Sequence, residues 1–290
     1  MPVEGNGRAL MTSLAIGIAS GLGNGVYLLP AIKALKLLGN RVTLFCQTDF
    51  RTTDIWKRCV FADEVLEAPA DVDRAHFFSG PYVPPAWRRR KPVEQYALSD
   101  IHECEWRSNL RMARKLGWEA DPPDVSDWCR DLQRTGEYDI GITPGSKASI
   151  WLRKRYPRMR EVAEHFLASG RRVALFGLGT DGLDGLPGER INTDDIAALP
   201  DQLAKCRVII GGDTGPAHLA SSLGIPVVMV YTGTSQVKAE PVGRPHRQVY
   251  LELPCRPCVS TPLWHACDDW KCQAIEPANI IEAAEELLNE

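Results

Sequence analysis

Residues 211–235 read GGDTGPAHLASSLGIPVVMVYTGTS. An acid, a threonine and a histidine surround Gly215-Pro216, between two apolar runs of strand length. The first run ends in Gly-Gly, so Asp213 and Thr214 fall in a strand-to-helix turn. Gly215 suits a helix cap, and Pro216 suits the first turn, where a missing N–H costs nothing. Small residues there let a ligand approach free backbone N–H groups. A helix N-terminus at the carboxyl end of a parallel strand attracts anions. Asp213 would repel a phosphate and is better suited to accept hydrogen bonds from sugar hydroxyls. Thr214 and His218 can donate to phosphate oxygens. The competing reading is that Asp213 and Thr214 only cap a helix and that His218 is an ordinary helix histidine.

A second cluster is Cys255, Cys258, Cys267 and Cys272. A Cys-x2-Cys turn followed by two close cysteines suits tetrahedral thiolate ligation of zinc or iron. Such a closed site would be structural, fastening an otherwise featureless loop. His265 is an alternative ligand, and two local disulfides or free thiols are the rival readings. The other five cysteines are scattered, and an odd total of nine argues against a fully paired disulfide framework. Asp71-Val72-Asp73 has the form of a metal-binding pair of acids, but so common a pattern reads as surface. The run Arg88–Lys91 beside Trp87 reads as a solvated face, with contact to an anionic acceptor or a membrane surface as the alternative.

Strands and helices must hold these groups. Thr12–Ala19 predicts a buried strand, followed by a glycine-rich turn over 20–25, a helix over Val26–Leu38 stopped at Gly39-Asn40, and a strand over Arg41–Cys46. Strand, helix, strand implies a parallel sheet. From Ala68 to Asp127 the pattern weakens into loops and irregular helices. It restarts with strands at Tyr138, Arg171–Phe176, Val208–Gly211 and Val227–Tyr231. Helices are expected over Met159–Ser169, Asp194–Lys205 and Ala217–Leu223, with a final amphipathic helix from Pro277 (277–289). The expected organisation is two doubly wound α/β halves, 1–137 and 138–290, the second carrying the cysteine loop 255–272. The net charge of -3 gives no reason to expect nucleic acid. No apolar run is long enough to span a membrane, and no secretory leader is evident at the start. A cytoplasmic enzyme is the expectation.

The stretch from Asp213 to Ser235 resembles the signature of glycosyltransferase family 9, the heptosyltransferases. Three further stretches agree in order: GLGNGVYLLPAIKAL, TPGSKASIWLRKRYP and VALFGLGTD. The resemblance implies the GT-B architecture, two Rossmann-like doubly wound domains facing across a cleft. It also implies an inverting transferase that moves a sugar, heptose in the best-known members, from a nucleotide-diphosphate donor to a hydroxyl. An ADP-linked donor is favoured, and the acceptor would be a glycan, a lipid-linked molecule or a protein. No catalytic metal is expected, and peripheral membrane contact is compatible with such acceptors.

The resemblance also implies roles. Thr143, Gly145, Ser146, Gly177, Asp213, Thr214, Gly215 and His218 would bind the donor. Lys154 would reach the diphosphate, a contribution of roughly 2–4 kcal/mol in the transition state by analogy with other donors to developing charge. Gly23, Asn24 and Gly25 would lie on the acceptor side. The family places an aspartate in this first glycine turn as its proposed base, and here the residue is Asn24, which is no base. Asp49, Asp100 and His102 are the substitute acids and bases the sequence offers.

Two rival functions remain at this point. A dinucleotide-dependent oxidoreductase would use Gly21-x-Gly23 and Asp49, but Val26 stands where the third glycine belongs. A non-catalytic nucleotide-sugar-binding protein would keep the donor site without the base.

Overall fold

The computed structural model describes residues 12–18, 21–46, 52–67, 72–78, 93–96, 99–146, 149–177, 182–259 and 261–290. Asp49, Asp71 and the run Arg88–Lys91 lie outside them.

Two parallel sheets form the molecule. The first contains β1 (Ser13–Ile18), β2 (Arg41–Cys46), β3 (Glu64–Leu66), β4 (Arg74–Phe78) and β5 (Val93–Tyr96), in the order β3-β2-β1-β4-β5. The second contains β6 (Tyr138–Thr143), β7 (Val173–Phe176), β8 (Glu189–Ile191), β9 (Cys206–Gly212), β10 (Val227–Tyr231) and β11 (His246–Tyr250), in the order β11-β10-β9-β6-β7-β8. Counted from its own first strand, the second sheet has the 3-2-1-4-5-6 order of a dinucleotide-type fold. Its chain reverses direction between β6 and β9, where ligands of such sheets bind.

The helices are α1 (Leu22–Val26), α2 (Leu29–Leu37), α3 (Thr53–Trp56), α4 (Glu105–Asn109), α5 (Arg111–Lys115), α6 (Met159–Ala168), α7 (Leu199–Leu203), α8 (Gly215–Ser222), α9 (Pro262–Ala266) and α10 (Pro277–Asn289). Near-continuous apolar runs in β1, β9 and β10 follow from burial on both faces of a parallel sheet. Gly39, at φ 83°, stops α2. Its N–H donates to Lys36 O and that of Asn40 to Leu35 O, closing the helix with a left-handed glycine.

One buried cluster joins the two sheets. It runs from Leu14 and Ile16 through Trp56 and Trp128 to Ala217, Leu219 and Met229. A second cluster seats α10 on the other side of the second sheet, with Ile280, Ala284 and Leu287 among Ile140, Val208 and Ile210. Two differences from the sequence reading stand out. The glycine turn is itself the short helix α1, with Gly21 at φ 96° immediately before it. The stretch read as loops between 68 and 127 also contains β4 and β5, which complete one flank of the first sheet.

Candidate active site

The site begins at the end of β9. Gly211 pairs in register with Thr143 at the end of β6. A Cβ on Gly211 would overlap Thr143 Oγ1, whereas one on Gly212 would meet the Lys154 carbonyl at an ordinary contact distance of 3.5 Å. Gly211 therefore lets β6 close against the strand end. Asp213 follows, then Thr214, then the first turn of α8.

Asp213 is clamped. Lys154 Nζ donates to its Oδ2 at 2.6 Å and to its backbone oxygen at 3.1 Å. On the other side, Asp213 Oδ1 lies 3.0 Å from His218 Nε2. Side-chain exposure is 17% for Lys154, 16% for Asp213 and 2% for His218, so this charge pair sits largely out of water. Burial alone would push the Asp213 carboxyl up. The Lys154 charge and the His218 contact overcome that and hold it well below the usual carboxylate range.

The Lys154 ammonium also lies 5.3 Å from the centre of the Trp151 ring. Two side chains fix the backbone on either side of it. Gln273 Nε2 donates to the carbonyls of Arg153 and Arg155, both at 3.2 Å, and Thr232 Oγ1 donates to Arg153 O at 3.1 Å. Arg155 in turn reaches back to Ser146, donating to its hydroxyl and carbonyl oxygens at 3.2 Å. Gly145 and Ser146 are half-buried beside it. Gly177 accepts the Thr193 hydroxyl at 3.1 Å, and the loop that follows it is outside the described residues.

The first sheet supplies the opposite wall. A Cβ on Gly215 would sit 3.0 Å from Leu22 Cβ and 3.5 Å from the Gly23 nitrogen. One on Gly23 would sit 3.6 Å from His218. The first turns of α1 and α8 thus meet, each bringing the positive end of its peptide dipoles. Asn24 occupies that same turn of α1, half-buried. Gly25 does not face this junction, because a Cβ there would overlap the Trp56 indole. Its lack of a side chain lets α1 pack against Trp56.

Among the described residues, Thr143 Oγ1 beside Gly211, and Thr214 Oγ1 and His218 Nδ1 of the α8 start, are buried with no hydrogen-bond partner. Buried polar groups are normally satisfied, so this concentration beside a lysine and a helix N-terminus marks the place for an anionic ligand rich in acceptors. Sequence reasoning missed Tyr27, whose hydroxyl lies 2.9 Å from His218 Nε2. It also missed Gln273 and Thr232. Only Tyr27 had a signal, its position one turn after Gly23.

Asp100 and His102 are exposed, and Asp100 Oδ1 accepts the His102 N–H at 2.9 Å. Asp73 accepts the Ser13 N–H at 2.9 Å, a structural use that fits the surface reading of the paired acids. A separate cavity of roughly 340 Å3 lies between Pro30, Trp106 and Arg107 on one side and Pro241, Val242 and Arg244 on the other. Its walls include none of Lys154, Asp213 or His218.

The cysteine loop bears on the expected metal. All four thiols are free, and among the described residues no three His, Cys, Asp or Glu side chains are gathered as a metal shell. Arg256 fastens the loop, its guanidinium donating to the carbonyls of Thr232, Leu251 and Thr234. Trp264 is buried against Gly233, and Arg153 donates to the Trp264 carbonyl. The loop is therefore not featureless: it wraps the segment that carries Lys154.

Two parallel sheets meeting at their strand ends, with an acceptor-hungry junction between them, define a GT-B protein. Residues 115–265 match glycosyltransferase family 9 (heptosyltransferase), and the chain belongs to that family. It is similar to lipooligosaccharide heptosyltransferase 2 of Campylobacter jejuni, 28% identical over 176 residues, which are 54% of this chain and 53% of that protein. The chain thus spans about half the length of this curated relative. Among solved structures it resembles the family 9 transferase of Veillonella parvula (TM-score 0.74, 17% identity, 96% of this chain and 97% of that one). It also resembles TibC of enterotoxigenic Escherichia coli, an iron-containing dodecameric glycosyltransferase (TM-score 0.62, 16% identity, 96% of this chain and 77% of that one). TibC has also been solved with ADP-D-beta-D-heptose. Among the described residues, no helix is long and apolar enough to cross a membrane.

Proposed function

We propose that this chain is an inverting glycosyltransferase, taking a sugar from a nucleotide-diphosphate donor and passing it to a hydroxyl of a glycan or lipid-linked acceptor. The carrying observation is the junction of α1 and α8, where Lys154, His218 and the Thr214 hydroxyl, unpartnered among the described residues, gather at the start of α8. Donors aimed where negative charge develops are the largest single contribution to many such reactions. The diphosphate leaves from this cradle. Lys154 offers it the one N–H not used on Asp213, His218 offers Nδ1, and the backbone of Gly215 offers its N–H. Asp213 stays ionised and turns its remaining acceptor capacity to sugar hydroxyls. Thr143, Gly145, Ser146 and Gly177 line the β6 and β7 side of the donor.

The part up to residue 137 holds the acceptor and the part from 138 the donor. Asn24 has no proton affinity to serve as a base, so its part is to orient the acceptor hydroxyl. ADP-heptose is the first donor to test, because the relatives are heptosyltransferases and TibC has been solved with that compound. The work would take place on the cytoplasmic side of a membrane carrying the acceptor. The test is release of ADP from ADP-heptose with a lipooligosaccharide core acceptor. Turnover that depends on both compounds supports the reading; binding of the donor without turnover supports a sugar-nucleotide-binding protein instead.

The cysteine loop supports a second proposal, a structural zinc or iron. Burial first, and then the thiols of Cys255 and Cys267, push the Cys258 thiol up, and burial followed by the three other thiols does the same to Cys272. The four therefore share one neighbourhood although they are not drawn into a closed shell, and the donor set suits either metal. Metal would tighten the loop behind Lys154 and take no part in the transfer. Elemental analysis of protein purified without added metal decides it, and near-zero zinc and iron removes the proposal.

A further inference from the structure

Cys59 and Cys129 form an isolated antiparallel bridge. Its hydrogen bonds come from the residues on either side. Val60 N–H donates to Trp128 O, and Arg130 N–H donates to Arg58 O, both at 2.8 Å. The two cysteines therefore face each other at the narrow, non-hydrogen-bonded position of an antiparallel pair. There the Cα atoms are about 4.5 Å apart and the side chains share one face. A disulfide requires a Cα separation of about 4.4–6.8 Å. Both residues are free thiols.

We infer that Cys59 and Cys129 are a covalent modification site that closes to an intramolecular disulfide on reaction with a low-molecular-weight disulfide. The Cys129 thiolate attacks one sulfur of the oxidant and releases one thiol. The Cys59 thiolate then attacks Sγ of Cys129 and displaces the second. Two protons and two electrons leave the protein, and the S–S bond of the oxidant is reduced to two thiols. Cys129 reacts first, being the more exposed (7% against 2%) and the nearer to the Arg58 guanidinium, which favours its thiolate. Burial pushes both thiols up to about 11. The pair is therefore slow to oxidise near neutrality and faster at alkaline pH, since the thiolate is the nucleophile.

The position gives the bond a consequence. Trp56, one turn before Cys59, lies against Gly25 of α1. Trp128, the neighbour of Cys129, donates its Nε1 proton to Ser222 Oγ in the last turn of α8 at 3.1 Å. The two indoles are 5.5 Å apart. Arg58, beside Cys59, makes a two-pronged ion pair with Asp201 of α7 at 2.6 and 2.9 Å. The disulfide would staple the segments that back the two helices whose first turns meet at the site. It does not depend on the transferase reading.

The test is peptide mapping of the full chain after oxidised glutathione at pH 8.5, with free thiols alkylated under denaturing conditions. The expected product is one cross-linked pair containing Cys59 and Cys129, absent from Cys59→Ser and Cys129→Ser. Because the bond closes a long loop, the oxidised protein should melt roughly 5 °C higher or more. A parallel sample is unfolded and refolded in a glutathione redox buffer, so that burial does not block access. Failure to find the pair in either sample, or Cys59 joined to a different cysteine, overturns the inference.

Discussion

The Tyr27 hydroxyl and His218 Nε2 lie 2.9 Å apart, joining the first helix after β1 to the helix after β9. The rings meet edge to face with centres 4.8 Å apart. Asn109 donates to the Tyr27 carbonyl at 3.2 Å, and burial, then the Asp213 charge, keeps the phenol protonated well above its ordinary range. Nε2 is also 3.0 Å from Asp213 Oδ1. A nitrogen with one proton can donate to Asp213, and without it can accept from Tyr27, but it cannot do both. Tyr27 and Asp213 therefore compete for Nε2, and the phenol biases which nitrogen of the ring carries the proton.

Tyr27→Phe keeps the ring and removes that bias. Transfer should fall about tenfold in kcat, with the KM for donor nearly unchanged, while stability drops by only about 0.5–1.5 kcal/mol, the net value of one hydrogen bond. Steady-state kinetics beside urea unfolding separates the two effects. An unchanged kcat would show that the phenol does no more than pack.

Removing Lys154 leaves Asp213 buried without its cation. Lys154→Ala should cost about 3–5 kcal/mol of stability, in line with other broken buried pairs. The double variant Lys154→Ala, Asp213→Ala should recover part of that loss, since the two groups are directly coupled. Chemical denaturation of the three variants and the parent closes the cycle. A double variant no more stable than Lys154→Ala would mean that the pair contributes little.

Acid unfolding carries the same signature. Asp213 titrates lower in the folded than in the unfolded chain. Its contribution is therefore complete above the unfolded value of about 3.9 and disappears as pH falls below it. The stability gap between the parent and Asp213→Asn should be constant from pH 7 to about 5 and shrink toward pH 3. A gap that widened on acidification would reverse the assignment.

Gly211 is fixed by space rather than by backbone angle. Gly211→Ala would drive a methyl into Thr143 Oγ1 and should cost about 1–3 kcal/mol, as overpacking does. Adding Thr143→Ala should return much of it. Thermal unfolding of the single and double variants reads this directly; no recovery would place the clash elsewhere.

Much of this was legible in the chain. β2 and β10 match the expected strands residue for residue, because parallel strands covered on both faces leave long apolar runs. Asp213, Thr214, Gly215 and His218 announced their turn through the Gly-Gly before them and Pro216 after. What was hidden depends on long-range contacts. Nothing local in Gln273 says that its amide holds the carbonyls on both sides of Lys154. Nothing in Arg256 says that it pins the cysteine loop to three carbonyls. β4 and β5 were obscured by short length and polar residues such as Arg74 and Glu94 in the strands that complete one flank of the sheet.

Calorimetric titration of the purified chain with adenosine, AMP and ADP tests the central claim most directly, because only ADP carries both phosphates to the α1–α8 junction. ADP should bind at least about tenfold more tightly than AMP, equivalent to about 1.4 kcal/mol, and that advantage should be lost in Lys154→Met. Equal affinity for all three compounds, or an ADP preference untouched by Lys154→Met, would contradict a diphosphate cradle at this site.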